Sequence, residues 1–315
     1  MKALCIDIGG TSAKCVLFEN DEITNNFEVG TLDRSNVLKN IVDVCVVELN
    51  KINVNLTQLD FIGIAVPCLL DMKTGTAILA TNLGWNNYPV LEESKKLFNN
   101  KNVFVLNDAS AATYGEWKIG LSGNTTSMAL FSIGTGIGGG LVYNNKLVIG
   151  DNSGLASEPG HGGGFQTEFD CPCGLEGCIE PISSATGIER ELNKVASKSK
   201  GALGELFKKQ NTLKIIDIVD LFNSNDKEVI GVFNDAIEPL AKSISVTIHS
   251  FDIKTIVISG GVSNLGEGLI KILRNQLSRF VLPLFLNTLE TEISALTNWV
   301  GARGVYEYGK DNFKK

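Results

Sequence analysis

The sequence predicts an α/β protein of two domains, and three observations carry that reading. A chain of 315 residues is long enough for two domains that each bury a core. A strand–glycine–strand turn occurs near the start of each half, at Gly9-Gly10 and again over 134–140, which points to an internally duplicated architecture. Short apolar strands lead into helical periodicity, as at 103–106 before 109–119. That is the pattern of open sheets whose ligand crevice lies beyond the strand ends.

Residues 3–8 predict a strand carrying Asp7, followed by Gly9-Gly10-Thr11 and a second strand over 13–18. The simple reading is a hairpin turn. The chemical reading is a phosphate-facing turn, because glycines let backbone N–H groups approach an anion. An Asp beside such a turn can orient a hydrated Mg²⁺. A strand near 23–29 and a helix over 35–51 follow, the helix apolar at Val37, Leu38, Ile41, Val44, Cys45 and Leu49. The strand 61–66 runs into Pro67-Cys68, and Asn82-Leu83-Gly84-Trp85 forms a polar-aromatic loop of the kind that lines a small-molecule cleft.

Asn107-Asp108 stands between the strand 103–106 and the helix 109–119. A helix N-cap is the simple role for Asp108; a general base at the crevice is the chemical one, and the two are compatible. The strand 127–133 leads into Gly134-Thr135-Gly136-Ile137-Gly138-Gly139-Gly140 and another strand. A strand after the glycines does not fit the dinucleotide fingerprint, and a second phosphate turn fits better. Helices are expected over 187–196, 215–222, 227–249, 265–280 and 294–308. The strand 255–259 ends in Gly260-Gly261, where the adenosine or ribose of a nucleotide can lie against backbone. His249, near a helix C-terminus, is given a structural role.

The stretch 154–180 is the most specific. Gly154-Leu155-Ala156-Ser157-Glu158-Pro159-Gly160-His161 is followed by Cys171-Pro172-Cys173-Gly174-Leu175-Glu176-Gly177-Cys178-Ile179-Glu180. Cys171, Cys173, Cys178 and His161 suit a closed tetrahedral metal site. The plain alternative is a loop of buried thiols. Gly174 and Gly177 favour the metal, because they permit the knuckle that brings Cys173 and Cys178 together.

Composition narrows the function classes. A net charge of −7 with 43% hydrophobic and 20% charged residues is ordinary for a soluble globular protein and argues against a nucleic-acid surface. No stretch approaches the roughly 18 to 20 apolar residues of a membrane span. Asp7 interrupts the first apolar run, so no signal peptide is read there. The expectation is a cytoplasmic protein with reduced thiols and neither membrane nor nucleic-acid partners. Cys5, Cys15 and Cys45 then act as small core residues.

These motifs together resemble a sugar kinase of the ROK family (repressors, uncharacterised frames and kinases), within the actin/hexokinase-like fold. The resemblance covers nearly the whole chain, from Asp7-Ile8-Gly9-Gly10-Thr11 to Gly301-Ala302. Its most specific parts are Glu158 to His161 and Cys171 to Glu180; Asn107-Asp108-Ala109 with Ala111-Ala112 and Gly115-Glu116 also matches. It implies a two-domain, actin-like ATPase (ribonuclease H-like) α/β fold with a cleft between domains and a zinc-bound loop. The domains expected are 1–119, joined by a C-terminal helix 294–312, and 120–293 with the loop 154–180.

The resemblance also implies roles. Asp108 resembles the catalytic base. Asn82, Asn107, Asp108, Glu158, His161 and Glu180 fall where sugar hydroxyls bind. Asp7, Gly9, Gly10, Thr11, Gly134, Thr135, Gly136, Gly138, Gly260 and Gly261 fall in the nucleotide turns. His161, Cys171, Cys173 and Cys178 resemble ligands of a structural Zn²⁺. The cofactors implied are ATP, Mg²⁺ and Zn²⁺; the partners are a sugar and ATP, with a homodimer expected. Glucose, phosphorylated at its 6-hydroxyl, is the expected substrate, with N-acetylmannosamine, N-acetylglucosamine, fructose or a β-glucoside as alternatives. From outside the enzyme class come a non-catalytic sugar sensor and a DNA-binding repressor. The retained Asp108 and both glycine turns argue against the sensor. The acidic charge and a first strand starting at Ala3, which leaves no room for a helix-turn-helix, argue against the repressor. Two departures from the family pattern, Cys68 after Pro67 and Thr297-Asn298-Trp299-Val300, bear on which sugar is held.

Overall fold

The computed structural model describes residues 1–151, 156, 158–162, 164–165 and 167–313. Gly154, Leu155 and Ser157 of the loop discussed above lie outside the described residues. The chain divides into two compact units. One comprises Met1–Thr125, Asn145–Ser157 and Ala295–Lys315; the other comprises Thr126–Asn144 and Glu158–Ser294.

The first unit opens with β1 (Lys2–Ile8), β2 (Ser12–Glu19), β3 (Glu22–Gly30) and α1 (Val37–Lys51). It continues with β4 (Phe61–Val66), β5 (Leu69–Asp71), β6 (Thr76–Ala80), β7 (Trp85–Tyr88), α2 (Val90–Phe98), β8 (Val103–Asn107) and α3 (Asp108–Gly115). The main sheet has the order β3-β2-β1-β4-β8, and β5-β6-β7 form a small separate sheet. β1 pairs antiparallel with β2 and parallel with β4, and β4 pairs parallel with β8. The two-residue period of each strand divides its side chains between two cores. Leu4, Ile6, Cys15, Leu17, Ile62 and Ile64 face a core with Ile41, Cys45 and Phe98 of α1 and α2. Ala3, Cys5, Val16, Phe18, Phe61 and Ala65 face the opposite core. With both faces covered, the interior strand β4 is buried at every residue.

The second unit repeats this plan. It begins with β9 (Met128–Ile133) and β10 (Ile137–Tyr143), after which β11 (Lys146–Leu147) returns to the first unit. α4 (Glu180–Ser183), α5 (Ala185–Ala196), α6 (Ala202–Gln210), α7 (Val219–Asn223) and α8 (Lys227–Phe251) precede β12 (Thr255–Ser259), α9 (Glu267–Leu277), α10 (Pro283–Leu286) and β13 (Glu290–Ile293). β9 pairs antiparallel with β10 and parallel with β12, and β12 pairs parallel with β13. This is the same sequence of pairings as β2-β1-β4-β8, so the duplication expected from the two glycine turns is present in the sheets. α8 buries Val229, Val232, Phe233, Ala236, Ile237, Leu240, Ile244 and Ile248, one apolar stripe at helical spacing. Asp226 caps its start and Asp252 ends it in a left-handed conformation.

The chain then returns to the first unit as α11 (Val300–Phe313). Ala302, Val305 and Tyr306 complete the second core there, with Tyr306 stacked on Phe18 at 4.2 Å between ring centroids. A Cβ on Gly304 would stand 1.8 Å from the Ala111 carbonyl oxygen, so only glycine lets α11 lie this close to α3. The last helix therefore begins at Val300 rather than 294, and β13, α6 and the β5-β6-β7 sheet are elements that the periodicity did not show. Among the described residues no helix is long and apolar enough to cross a membrane.

Candidate active site

In the first unit, three adjacent parallel strands end side by side and present the predicted residues. Asp7 of β1 is level with Ala65 of β4, and Val66 of β4 is level with Asn107 of β8. The carboxyl ends of parallel strands are where open α/β sheets bind ligands. Asp108 is the first residue of α3, and its Oδ1 accepts the Ala109 N–H at 2.9 Å. The N-cap is Asn107, whose side-chain oxygen accepts from Ala109 at 2.9 Å and Ser110 at 3.1 Å. This corrects the expectation that Asp108 itself caps the helix. The Asn107 side-chain N–H group donates to the Cys68 carbonyl at 3.0 Å, leaving one amide hydrogen for a ligand.

The first glycine turn is held by bonds that leave donors outward. Gly9 N–H donates to Ser12 O at 2.9 Å, and the Thr31 hydroxyl donates to Gly9 O at 2.8 Å. Gly10 and Thr11 N–H groups meet no acceptor among the described residues. Two successive unpartnered N–H groups are the geometry that receives an anion. Asn82 flanks this turn: a Cβ on Gly10 would lie 3.2 Å from Asn82 Cβ. Asp7 is largely enclosed. Burial raises its pKa, and Lys14 and the Gly301 backbone N–H partly offset the rise. Thr31, buried at the end of β3, was not singled out in the sequence; nothing local to it marks a turn that lies across two strands.

In the second unit the corresponding turn lies over 134–136. Gly134 N–H donates to Gly136 O at 3.0 Å, and Thr135 and Gly136 N–H groups meet no acceptor among the described residues. Gly138 belongs to β10, paired with Ser132. Gly260 ends β12 with φ of 86°, and a Cβ there would lie 2.5 Å from Ile133 O, at the entry to the same turn. Gly261 opens the short 3₁₀ helix that follows.

The cysteine loop forms the predicted knuckle. The ligand atoms of His161, Cys171, Cys173 and Cys178 all lie within 4.8 Å of one another. Sγ atoms of Cys171 and Cys173 are 3.3 Å apart, those of Cys173 and Cys178 are 3.7 Å apart, and Cys171 Sγ is 3.6 Å from His161 Nδ1. Tetrahedral coordination with Zn–S bonds of about 2.3 Å needs S···S separations of about 3.8 Å, so three sulfurs and one imidazole fit zinc. Gly174 and Gly177 have φ of 83° and 73°, the left-handed turns the knuckle requires. His161 N–H closes a turn onto Glu158 O at 3.1 Å. Burial raises the Glu158 pKa, opposed by His161 and reinforced by Glu180. Glu180 starts α4, its N–H donating to Gly160 O at 3.1 Å.

A family model, described as the ROK family, matches residues 3–311. The chain belongs to the ROK family. This ROK protein is 31% identical over 313 residues to a glucokinase of Halalkalibacterium halodurans, covering 95% of this chain and 92% of that one. It is 28% identical over 281 residues to an N-acetylmannosamine kinase of Haemophilus influenzae, covering 89% and 87%. A ROK-family glucokinase from Streptomyces griseus, solved with glucose and AMPPNP, is similar at a TM-score of 0.81 and 22% identity, covering 99% of this chain and 100% of that one. The fold of this ROK protein is thus the two-domain, actin-like α/β fold of sugar kinases.

Proposed function

We propose that this ROK protein transfers the γ-phosphoryl group of ATP to a hexose, with glucose and its 6-hydroxyl as the preferred acceptor. The observation that supports it most is Asp108 directly after β8, at the same edge of the sheet as Asp7 two strands away and the open N–H pair of Gly10 and Thr11 that follows β1. A sugar hydroxyl is a weak nucleophile at neutral pH. Asp108 takes its proton as the hydroxyl oxygen forms its bond to the γ-phosphorus and the bond from that phosphorus to the bridging oxygen breaks, releasing ADP. The paired N–H groups of the two glycine turns receive phosphate oxygens and need no reorganisation as charge shifts. Asp7 would orient the Mg²⁺ that accompanies ATP, and Gly260-Gly261 would lie against the nucleoside.

Asn82, Asn107, Glu158, His161 and Glu180 pair the sugar hydroxyls, and a hydroxyl missing or inverted leaves one of them unpaired, which is costly. His161, Cys171, Cys173 and Cys178 would hold Zn²⁺, a structural ion. Held there by one ring nitrogen, His161 would keep the other for a hydroxyl. A homodimer is part of the same proposal, and light scattering on the purified chain tests it.

The deciding experiment is an ADP-release screen with ATP, Mg²⁺ and a panel of sugars. Glucose is expected to give the highest kcat/KM. A higher value for N-acetylmannosamine, the substrate in the name of a 28% identical relative, would reassign the sugar and keep the chemistry. Glucose binding without ADP release would replace the kinase with a sensor.

A further inference from the structure

We propose that Glu180 is a positioning residue for the nucleotide turn, so that the carboxylate expected on a sugar hydroxyl also sets phosphate binding; this rests on the kinase reading above. Glu180 Oε2 accepts the Ile137 N–H at 2.9 Å. The contact exists only because residue 136 is glycine: a Cβ there would stand 2.4 Å from the same oxygen.

The segment that Glu180 begins makes two more bonds to the turn. Ala185 N–H donates to Gly134 O at 2.8 Å, and the Thr186 hydroxyl donates to Thr135 O at 2.9 Å. Each of these three fixes a peptide group of the turn, and Gly134 N–H is fixed internally on Gly136 O. What remains are the N–H groups of Thr135 and Gly136, whose directions the bonded peptides determine. A flexible glycine turn would lose conformational freedom on binding an anion. A turn held at Gly134, Thr135 and Ile137 has lost it beforehand.

Charge adds a second consequence. An ionised Glu180 beside the turn repels a phosphate at the distances involved. Its bond from Ile137 N–H offsets part of that charge, and a sugar hydroxyl donating to the carboxylate offsets more. Nucleotide affinity therefore rises when sugar is bound, and the coupling runs through this one carboxylate.

The test is calorimetry of Mg²⁺·ADP binding to the wild-type chain and to Glu180→Ala, Glu180→Gln and Thr186→Val, with and without sugar. Without sugar, Glu180→Ala is expected to bind ADP more weakly than wild type, by up to about tenfold, the loss of the Ile137 bond outweighing the relief of repulsion. Glu180→Gln keeps an acceptor for Ile137 and is expected to bind within about threefold of wild type, with the sugar-induced gain reduced. Thr186→Val, which leaves the carboxylate in place, is expected to weaken ADP by about threefold with little change in melting temperature. Wild-type affinity in Glu180→Ala, or in Thr186→Val should Glu180→Ala fail to fold, would overturn the inference alone. A wild-type chain that binds no ADP would overturn the kinase reading, and the inference with it.

Discussion

Asp108 and Gly301 show how much single residues carry. Asp108→Ala removes the proposed base while Asn107 still caps α3. Turnover should fall by about 10²- to 10⁴-fold, with sugar binding, measured by calorimetry, partly retained; normal turnover would remove Asp108 from the mechanism. Gly301 lies where a Cβ would approach the Asp7 carboxylate to 2.5 Å. Gly301→Ala must push Asp7 away from the backbone N–H it accepts. Urea unfolding should show a loss of about 1–3 kcal/mol, and unchanged stability would mean that the helix start can shift at no cost. Much at this scale was legible. Asp108, the glycines and the cysteines carry chemistry that few other residue types supply. Thr31 was not legible, because its partner Gly9 is distant in sequence and a buried threonine has many uses.

At the scale of elements, the knuckle and α11 make separate demands. Cys173→Ser leaves two thiolates and one imidazole for zinc. The expected result is loss of the metal by elemental analysis and a lower melting temperature; full metal content would exclude Cys173 as a ligand. α11 is fastened by polar clasps at both sides. Lys310 Nζ is 2.7 Å from Asp21 Oδ1, Lys118 Nζ is 2.8 Å from Asp311 Oδ2, and the Tyr114 hydroxyl donates to Asp311 at 2.7 Å. The hydrogen bond from Lys310 lowers the Asp21 pKa. Partial burial would raise that of Asp311, but Lys118 and Tyr114 outweigh it and the net shift is downward. A folded-state pKa below the unfolded value of about 3.9 means stabilisation present above that pH and lost as pH falls through the folded pKa. Melting temperature should therefore drop below about pH 4, and the drop should be smaller in Asp311→Asn, which should itself melt lower at pH 7. An equal drop in both would place the acid sensitivity elsewhere. The helix expected from 294 starts late because Ala295, Leu296 and Trp299 keep a helical period with Ala302 and Val305 without being helical, and β13 escapes a strand reading because three of its four residues, Glu290, Thr291 and Glu292, are polar.

For the whole molecule, the tryptophans Trp85, Trp117 and Trp299 all belong to the first unit. The candidate metal ligands His161, Cys171, Cys173 and Cys178 all belong to the second. Stripping metal with a chelator should therefore lower the far-UV circular dichroism midpoint more than the tryptophan fluorescence midpoint. Equal shifts would show that the chain unfolds as one cooperative body. The duplication was visible in sequence only as two glycine-rich turns. Its fuller expression is the repeated pairing of an antiparallel hairpin with two parallel strands, and that emerges from long-range pairing which a linear pattern does not encode.

The sequence by itself determined the chemistry available: a closed S₃N donor set, two glycine turns with open N–H groups and a strand-end carboxylate, each set by residue type and short spacing. It also determined the α/β class, because the two-residue and 3.6-residue periods are local. Only the tertiary structure decided which groups share a task. Asn107 rather than Asp108 caps α3, Asp7 faces Gly301, and Glu180, 43 residues from Ile137 along the chain, holds the second glycine turn. These assignments depend on backbone groups brought together across the fold. A backbone N–H carries no signature in the sequence, so its partner appears only once the chain is folded.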